Sequence, residues 1–173
     1  GLTGSRIGPG DAIFTGFADR FIPEADWPAL KDRLAETGDT GLIPALPRPE
    51  APLEGRDLAA FGAGSIRAII AALEAAGDAE TLATLCHHSP LSMAATLALV
   101  RAARGDRELR ESLTRELHFT ARATSDSDFL EGVRAQLIDR DRKPQWSAEA
   151  SPAHVAAMLA PLGPDELIWE DGK

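Results

Sequence analysis

The sequence predicts an all-α protein, and three observations carry that prediction. Apolar residues recur at helical spacing through most of the 173 residues. Alternating β-branched runs are missing, and tyrosine does not occur at all. Ser-Pro pairs and glycines fall where helices start and stop, at Ser89-Pro90, Ser151-Pro152, Gly16, Gly77 and Gly105.

Near the start, GPGDAIFTGFADRFI reads as a short helix with Pro9 in its first turn and Gly16 just past its end. Residues 24–37 give a second helix, with Leu30 and Leu34 one turn apart. The stretch 38–57 then places Pro44, Pro47, Pro49 and Pro52 close together, which denies the backbone regular helix or sheet bonding and predicts a linker or extended loop. Beyond it, Ser65 is placed to cap IRAIIAALEAAG, whose Ile66, Ile69, Ile70 and Leu73 share one stripe. A helix from Pro90 to Arg104 is expected to bury Leu91, Ala94, Ala95, Leu97 and Ala98. Residues 106–123 form a charged helix with Leu109, Leu113 and Leu117 at four-residue spacing, and an apolar stripe of that kind implies a partner surface. Ser151-Pro152 opens a last short helix ending near Gly163-Pro164. The domain reading is therefore 1–37 helical, 38–57 proline-rich linker, and 58–173 helical region.

Charge and composition exclude several classes. A net charge of −9 and a pI near 4.9 leave no broad basic field for nucleic acid. No apolar run reaches the roughly 18 residues a membrane helix needs. Cys86 is the single cysteine, so no internal disulfide framework exists, and a reducing, cytoplasmic compartment is expected. The chain opens GLTGSRIG, without methionine, and runs at once into structured sequence, which predicts a piece of a longer or processed chain.

Candidate chemistry is sparse. Cys86-His87-His88 holds metal-ligand residue types, but neighbouring helical side chains point about 100° apart and do not converge. These histidines are read instead as helix-end residues favoured by the helix dipole. His118 and His154 are read as packing or surface residues. The richest stretch is DFLEGVRAQLIDRDRKPQW, residues 128–146. Asp128 and Glu131 have the spacing of a capping box. Phe129, Leu130, Val133, Leu137 and Ile138 make an apolar stripe, with Arg134 on the polar side. The helix exits into Arg140, Asp141, Arg142 and Lys143, then Pro144 and Trp146. That exit reads as a solvated end, a phosphate-binding surface or a structural latch.

Three of these segments resemble one family. GLTGSRIGPGDAIFTGFADRFIP resembles the helix that leads out of the catalytic core in the crotonase, or enoyl-CoA hydratase/isomerase, superfamily. DFLEGVRAQLIDRDRKPQW, with Glu116 upstream, is similar to the signature of its 3-hydroxyisobutyryl-CoA hydrolase branch, as is LCHHSPLS from Leu85 to Ser92. The resemblance implies that this chain is the helical C-terminal region of an α/β fold, a spiral of ββα units whose core is not in this chain. It implies hydrolysis of a CoA thioester with no metal and no redox cofactor, CoA being part of the substrate. The oxyanion hole and catalytic carboxylates of the family belong to the core, so no catalytic residue is assigned here. Arg140 and Lys143 are the residues expected to reach a CoA phosphate. In the family, an aromatic and a lysine approach the adenine and phosphates. Gln136 or Leu137 and Asp139 stand in those places here. Trp146 is expected to pack the chain back onto the core. The implied partners are that upstream core, the acyl-CoA substrate and a homo-oligomer. A hydratase or isomerase of the same superfamily, or a non-catalytic helical interaction module, are the alternatives.

Overall fold

The structure, a computed structural model, describes residues 1–147 and 150–169. Among them every regular element is helical and none is a strand. Among the described residues no helix is long and apolar enough to cross a membrane. The chain divides into two compact units, one of residues 5–58 and one of residues 1–4 with 59–173.

In the smaller unit, α1 (Pro9–Phe14) has proline in its first turn, and α2 (Trp27–Thr37) follows a 3₁₀ turn at Glu24–Asp26. Gly38 ends α2 in the left-handed conformation (φ 66°) that glycine adopts without penalty. The proline-rich stretch lies inside this unit rather than standing apart as a linker. Its prolines do exclude long helix, but the segment has partners of its own. The Asp11 carboxylate accepts from the Leu53 amide at 2.9 Å, a 3₁₀ turn forms at Pro52–Gly55, and Arg48 pairs with Glu54 while lying over the Phe14 ring. Short-range prohibition on regular structure does not forbid tertiary anchoring, and here Asp11 supplies the anchor.

In the larger unit, local signals set the helices. Ser65 accepts from the Ala68 amide at 3.2 Å to start α3 (Ile66–Ala76), and Gly77 stops it at φ 71°. Asp78 accepts from the Thr81 amide to start α4 (Ala79–Cys86), and Ser89 accepts from the Ser92 amide to start α5 (Pro90–Ala103). Ile69, Leu73, Leu85 and Met93 form the core of α3, α4 and α5, with Leu2, Phe61 and Leu97 packed against it. Each fully buried aliphatic side chain of this kind contributes about 1.5–3 kcal/mol. On α5 the buried positions are Leu91, Met93 and Ala95, whereas Ala94, Leu97 and Ala98 are only half-buried.

α6 (Leu109–Asp126) buries His118 rather than its leucine stripe, since Leu109 and Leu113 are exposed. His118 Nδ1 faces the Leu159 carbonyl at 3.1 Å and Nε2 faces the Glu166 carboxylate at 2.6 Å. A carbonyl only accepts, so Nδ1 carries a proton. Arg122 donates to the carbonyls of Met158, Ala160 and Pro161 at the end of α8 (Pro152–Met158). Together these contacts staple the segment 158–166 to α6.

The Glu166 carboxyl is held below the ordinary carboxylate range, first by its hydrogen bond with His118 and then by the Leu162 amide. A folded-state pKa below the unfolded value stabilises above the unfolded value and is lost as pH falls through the folded one. Acidification from about pH 5 towards pH 3 should therefore loosen residues 158–166, the unfolded glutamate titrating at about 4.3. Hydrogen exchange across that pH range should show protection of this segment falling, and falling less in the Glu166→Gln chain. An equal pH slope in both chains would overturn the assignment.

Candidate functional site

The site is built where α6 hands over to the next helix. Ser127 accepts from the Phe129 amide, and α7 (Phe129–Val133) begins there. Asp128 occupies the cap position, yet makes no side-chain bond to its own helix. Its carboxylate is buried and accepts instead from Ser89 Oγ at 3.0 Å and from the Ser147 amide at 2.9 Å. The capping box expected of Asp128 and Glu131 is therefore not formed. Asp128 accepts from Ser89 and Ser147 and Glu131 from Arg134 and the Gln145 amide instead, and Ser127 satisfies the first amide of the helix in their place.

Beyond Val133 the helix widens into a π turn over Arg134–Ile138, closed by the Asp139 amide donating to the Arg134 carbonyl at 2.8 Å. Such widened turns recur at functional sites. Arg140 and Arg142 then take positive φ, 57° and 54°, and the Arg142 amide returns to the Ala135 carbonyl at 3.0 Å. Left-handed backbone at two non-glycine residues is strained and needs its surroundings to hold it.

Arg134 does the holding. Its Nε and Nη2 each meet a Glu131 carboxylate oxygen at 2.8 Å, a two-point grip. Nη1 donates to Asp141 at 3.0 Å and to Asp139, and Nη2 also reaches the Lys143 carbonyl at 3.2 Å. Glu131 in turn accepts from the Gln145 amide at 2.7 Å. The Arg134 guanidinium, with the Gln145 amide second, pulls the Glu131 carboxyl down to about 2. Asp141 is lowered too, first by the Lys143 amide and then by Arg134. The Trp146 indole closes the loop, lying over Gly132 and donating to the His87 carbonyl at 3.0 Å.

Several expectations for this stretch change. The stripe Phe129, Leu130, Leu137 and Ile138 is exposed, and the residues this segment buries are Asp128 and Ala135. Within this chain Trp146 meets Gly132 and the His87 carbonyl. Arg140 and Lys143 both stand exposed at the helix exit, Arg140 donating weakly to the Leu137 carbonyl at 3.3 Å. The Lys143 ammonium and the Arg142 guanidinium meet no acceptor among the described residues. Arg134 is the residue that sequence reading misses. Glu131 three positions before it, and acidic residues at 139 and 141, are the signal that could find it.

His88 Nδ1 lies 3.0 Å from the Leu2 carbonyl, and His87 stands at the C-terminal end of α4. No group of three or more histidine, cysteine, aspartate or glutamate side chains is placed to hold a metal among the described residues.

Known proteins share both the sequence pattern and the fold. The family model described as enoyl-CoA hydratase/isomerase matches residues 1–160. A mitochondrial 3-hydroxyisobutyryl-CoA hydrolase of Xenopus tropicalis is 29% identical over 96% of this chain and 49% of its own length. The small ribosomal subunit protein mS47 of Arabidopsis thaliana is 29% identical over 84% of this chain and 41% of its own. Among solved structures, an enoyl-CoA hydratase from Rhodobacter sphaeroides is 46% identical, with a TM-score of 0.87 over 98% of this chain and 52% of its own. The chain thus spans about half the length of the relatives it matches.

Proposed function

The chain belongs to the enoyl-CoA hydratase/isomerase family, and from that premise we propose that it forms the helical C-terminal portion of an acyl-CoA thioester hydrolase. The substrate is 3-hydroxyisobutyryl-CoA or a similar 3-hydroxyacyl-CoA. The observation that carries this reading is the likeness, along nearly the whole chain, to the Xenopus tropicalis hydrolase. The motif at residues 128–146 supports it.

In this reading a core encoded upstream supplies the thioester chemistry. Water attacks the thioester carbonyl, the developing oxyanion needs preorganised donors, and a positioned carboxylate activates the water. No metal or redox group is required for that step. This chain supplies the helical lobe, with Arg140 and Lys143 at its exit meeting a phosphate of CoA. Cytoplasmic action is proposed on charge and the single cysteine, although the matched hydrolase is named as mitochondrial. A homo-oligomer is the next partner after the core.

The test is a thiol-release assay of the full-length gene product with 3-hydroxyisobutyryl-CoA, run beside hydration of crotonyl-CoA. Turnover of the first, and none by the 173-residue chain alone, is the expected result. The joint Arg140→Ala and Lys143→Ala change should weaken CoA binding about three- to tenfold at low salt, with a shallower salt dependence. Hydration without hydrolysis would favour the second reading, a hydratase, which the closer identity to the Rhodobacter sphaeroides enzyme supports. Neither activity would favour a non-catalytic helical module, the reading that the ribosomal relative supports.

A further inference from the structure

The helix exit carries four basic residues, Arg134, Arg140, Arg142 and Lys143, against three acidic ones, Glu131, Asp139 and Asp141. A net charge of one positive unit is a poor attractor for a phosphate if the signs are evenly mixed. They are not mixed. All three carboxylates bond to the single guanidinium of Arg134, and the other three cations lie exposed. Arg134 is also the part-buried member, flanked by Ala135 in the wall of the lobe. The charge is sorted by partner: the three acids, Asp139 and Asp141 exposed among them, are gathered on Arg134, and the three exposed bases are not paired with them.

We propose that Arg134 is a positioning residue for phosphate recognition, gathering Glu131, Asp139 and Asp141 so that Arg140, Arg142 and Lys143 face a CoA phosphate without competing carboxylates. The inference rests on the CoA-phosphate role given to Arg140 and Lys143 above. It adds Arg134 and Arg142, and it assigns the acids a role. Asp141 serves twice, since its other oxygen accepts from the Lys143 amide at 2.9 Å and fixes the turn that carries Lys143. An isolated exposed ion pair contributes little to stability. Three carboxylates converging on one planar guanidinium instead decide where a whole loop's negative charge sits.

The test is a four-member cycle in the full chain: unaltered, R134Q, D139N/D141N, and R134Q/D139N/D141N. The probes are CoA and dephospho-CoA, which lacks the 3′-phosphate, titrated at low ionic strength with circular dichroism as the check on folding. R134Q should bind CoA about five- to tenfold more weakly, the loss falling mainly on CoA rather than dephospho-CoA. The D139N/D141N pair should strengthen binding about fivefold in the R134Q chain but less than about twofold when Arg134 is present, because the carboxylates are then already engaged. The amide side chain introduced by D141N retains an oxygen for the Lys143 amide, so the turn survives the change. Equal gains in both backgrounds overturn the proposal and leave Arg134 a purely structural residue. If R134Q does not fold, R134K takes its place, with a loss of about two- to threefold expected and the same relief by the D139N/D141N pair. Failure of the unaltered chain to prefer CoA over dephospho-CoA refutes the phosphate reading itself. A preference that R134Q leaves untouched refutes only the positioning role.

Discussion

Gly10→Ala is expected to disrupt the smaller unit, at about 3–5 kcal/mol. A Cβ at Gly10 would stand 2.0 Å from the Glu50 carbonyl oxygen and 2.5 Å from that of Pro49. Both atoms are backbone, so no side chain can swing away to make room. The competing effect favours alanine, which is the better helix former by about 0.5–1 kcal/mol. The clash outweighs it, because relief means moving the 49–50 backbone and with it the Leu53 amide that bonds Asp11. Gly8→Ser is the contrast. Nothing lies within 4 Å of a Cβ there, and serine suits the cap position that Gly8 holds. Hydrogen exchange over residues 9–14 and 50–55 should rise strongly in Gly10→Ala and stay flat or fall in Gly8→Ser. Unchanged protection in Gly10→Ala would mean that the close approach is not made. A localised readout is the right one, since a chain of two units has no single well-defined unfolding midpoint.

Gly10 shows where sequence reading stops. In the sequence it is one more residue of a helix start, and nothing nearby signals a carbonyl 40 positions away. Features that depend on near neighbours are legible. Ser65, Ser89 and Ser151 cap as their positions suggest, because the amide they serve lies three residues on. Asp128 and Glu131 have that same spacing and do otherwise. Asp128 finds Ser89, 39 residues earlier, and Glu131 finds Arg134 and the Gln145 amide. A cap motif states what a carboxylate can accept from locally. It does not state what tertiary folding will offer. The leucine stripe of α6 is legible as an apolar face, with Leu109 and Leu113 exposed as a partner surface would be, but periodicity gives no sign that α6 buries His118, which Leu159 and Glu166 enclose. Arg140 and Lys143 stand out because their charges are concentrated in sequence. Arg134, which sorts those charges, does not, because its role exists only once the π turn brings residues 131, 139 and 141 around it.

Asp128→Ala should be the most damaging single change in the larger unit outside its aliphatic core, at about 2–4 kcal/mol. The carboxylate is 4% exposed and joins two parts of the lobe that are far apart in sequence. Removing it strips the acceptor from Ser89 Oγ, which also caps α5 through the Ser92 amide, and from the Ser147 amide just past Trp146. A buried polar group left without a partner costs about 1–3 kcal/mol; Ser89 Oγ is such a group, and the Ser147 amide, on an exposed residue, adds a smaller loss. Asp128→Asn keeps an oxygen for the Ser147 amide and offers an N–H to Ser89 Oγ. Its loss should therefore be about half as large or less, by the same accounting of orphaned groups. The two variants separate hydrogen bonding from charge, since asparagine retains the first and lacks the second. Hydrogen exchange should localise the damage to the first turn of α5 and to residues 143–147. Loosening there also frees the Trp146 indole from the His87 carbonyl and the Gln145 amide from Glu131, so Arg134 loses part of its frame. CoA binding in Asp128→Ala should then fall with the order of the 139–145 loop. Retained binding alongside lost protection at 143–147 would show that the loop is held by Arg134 alone.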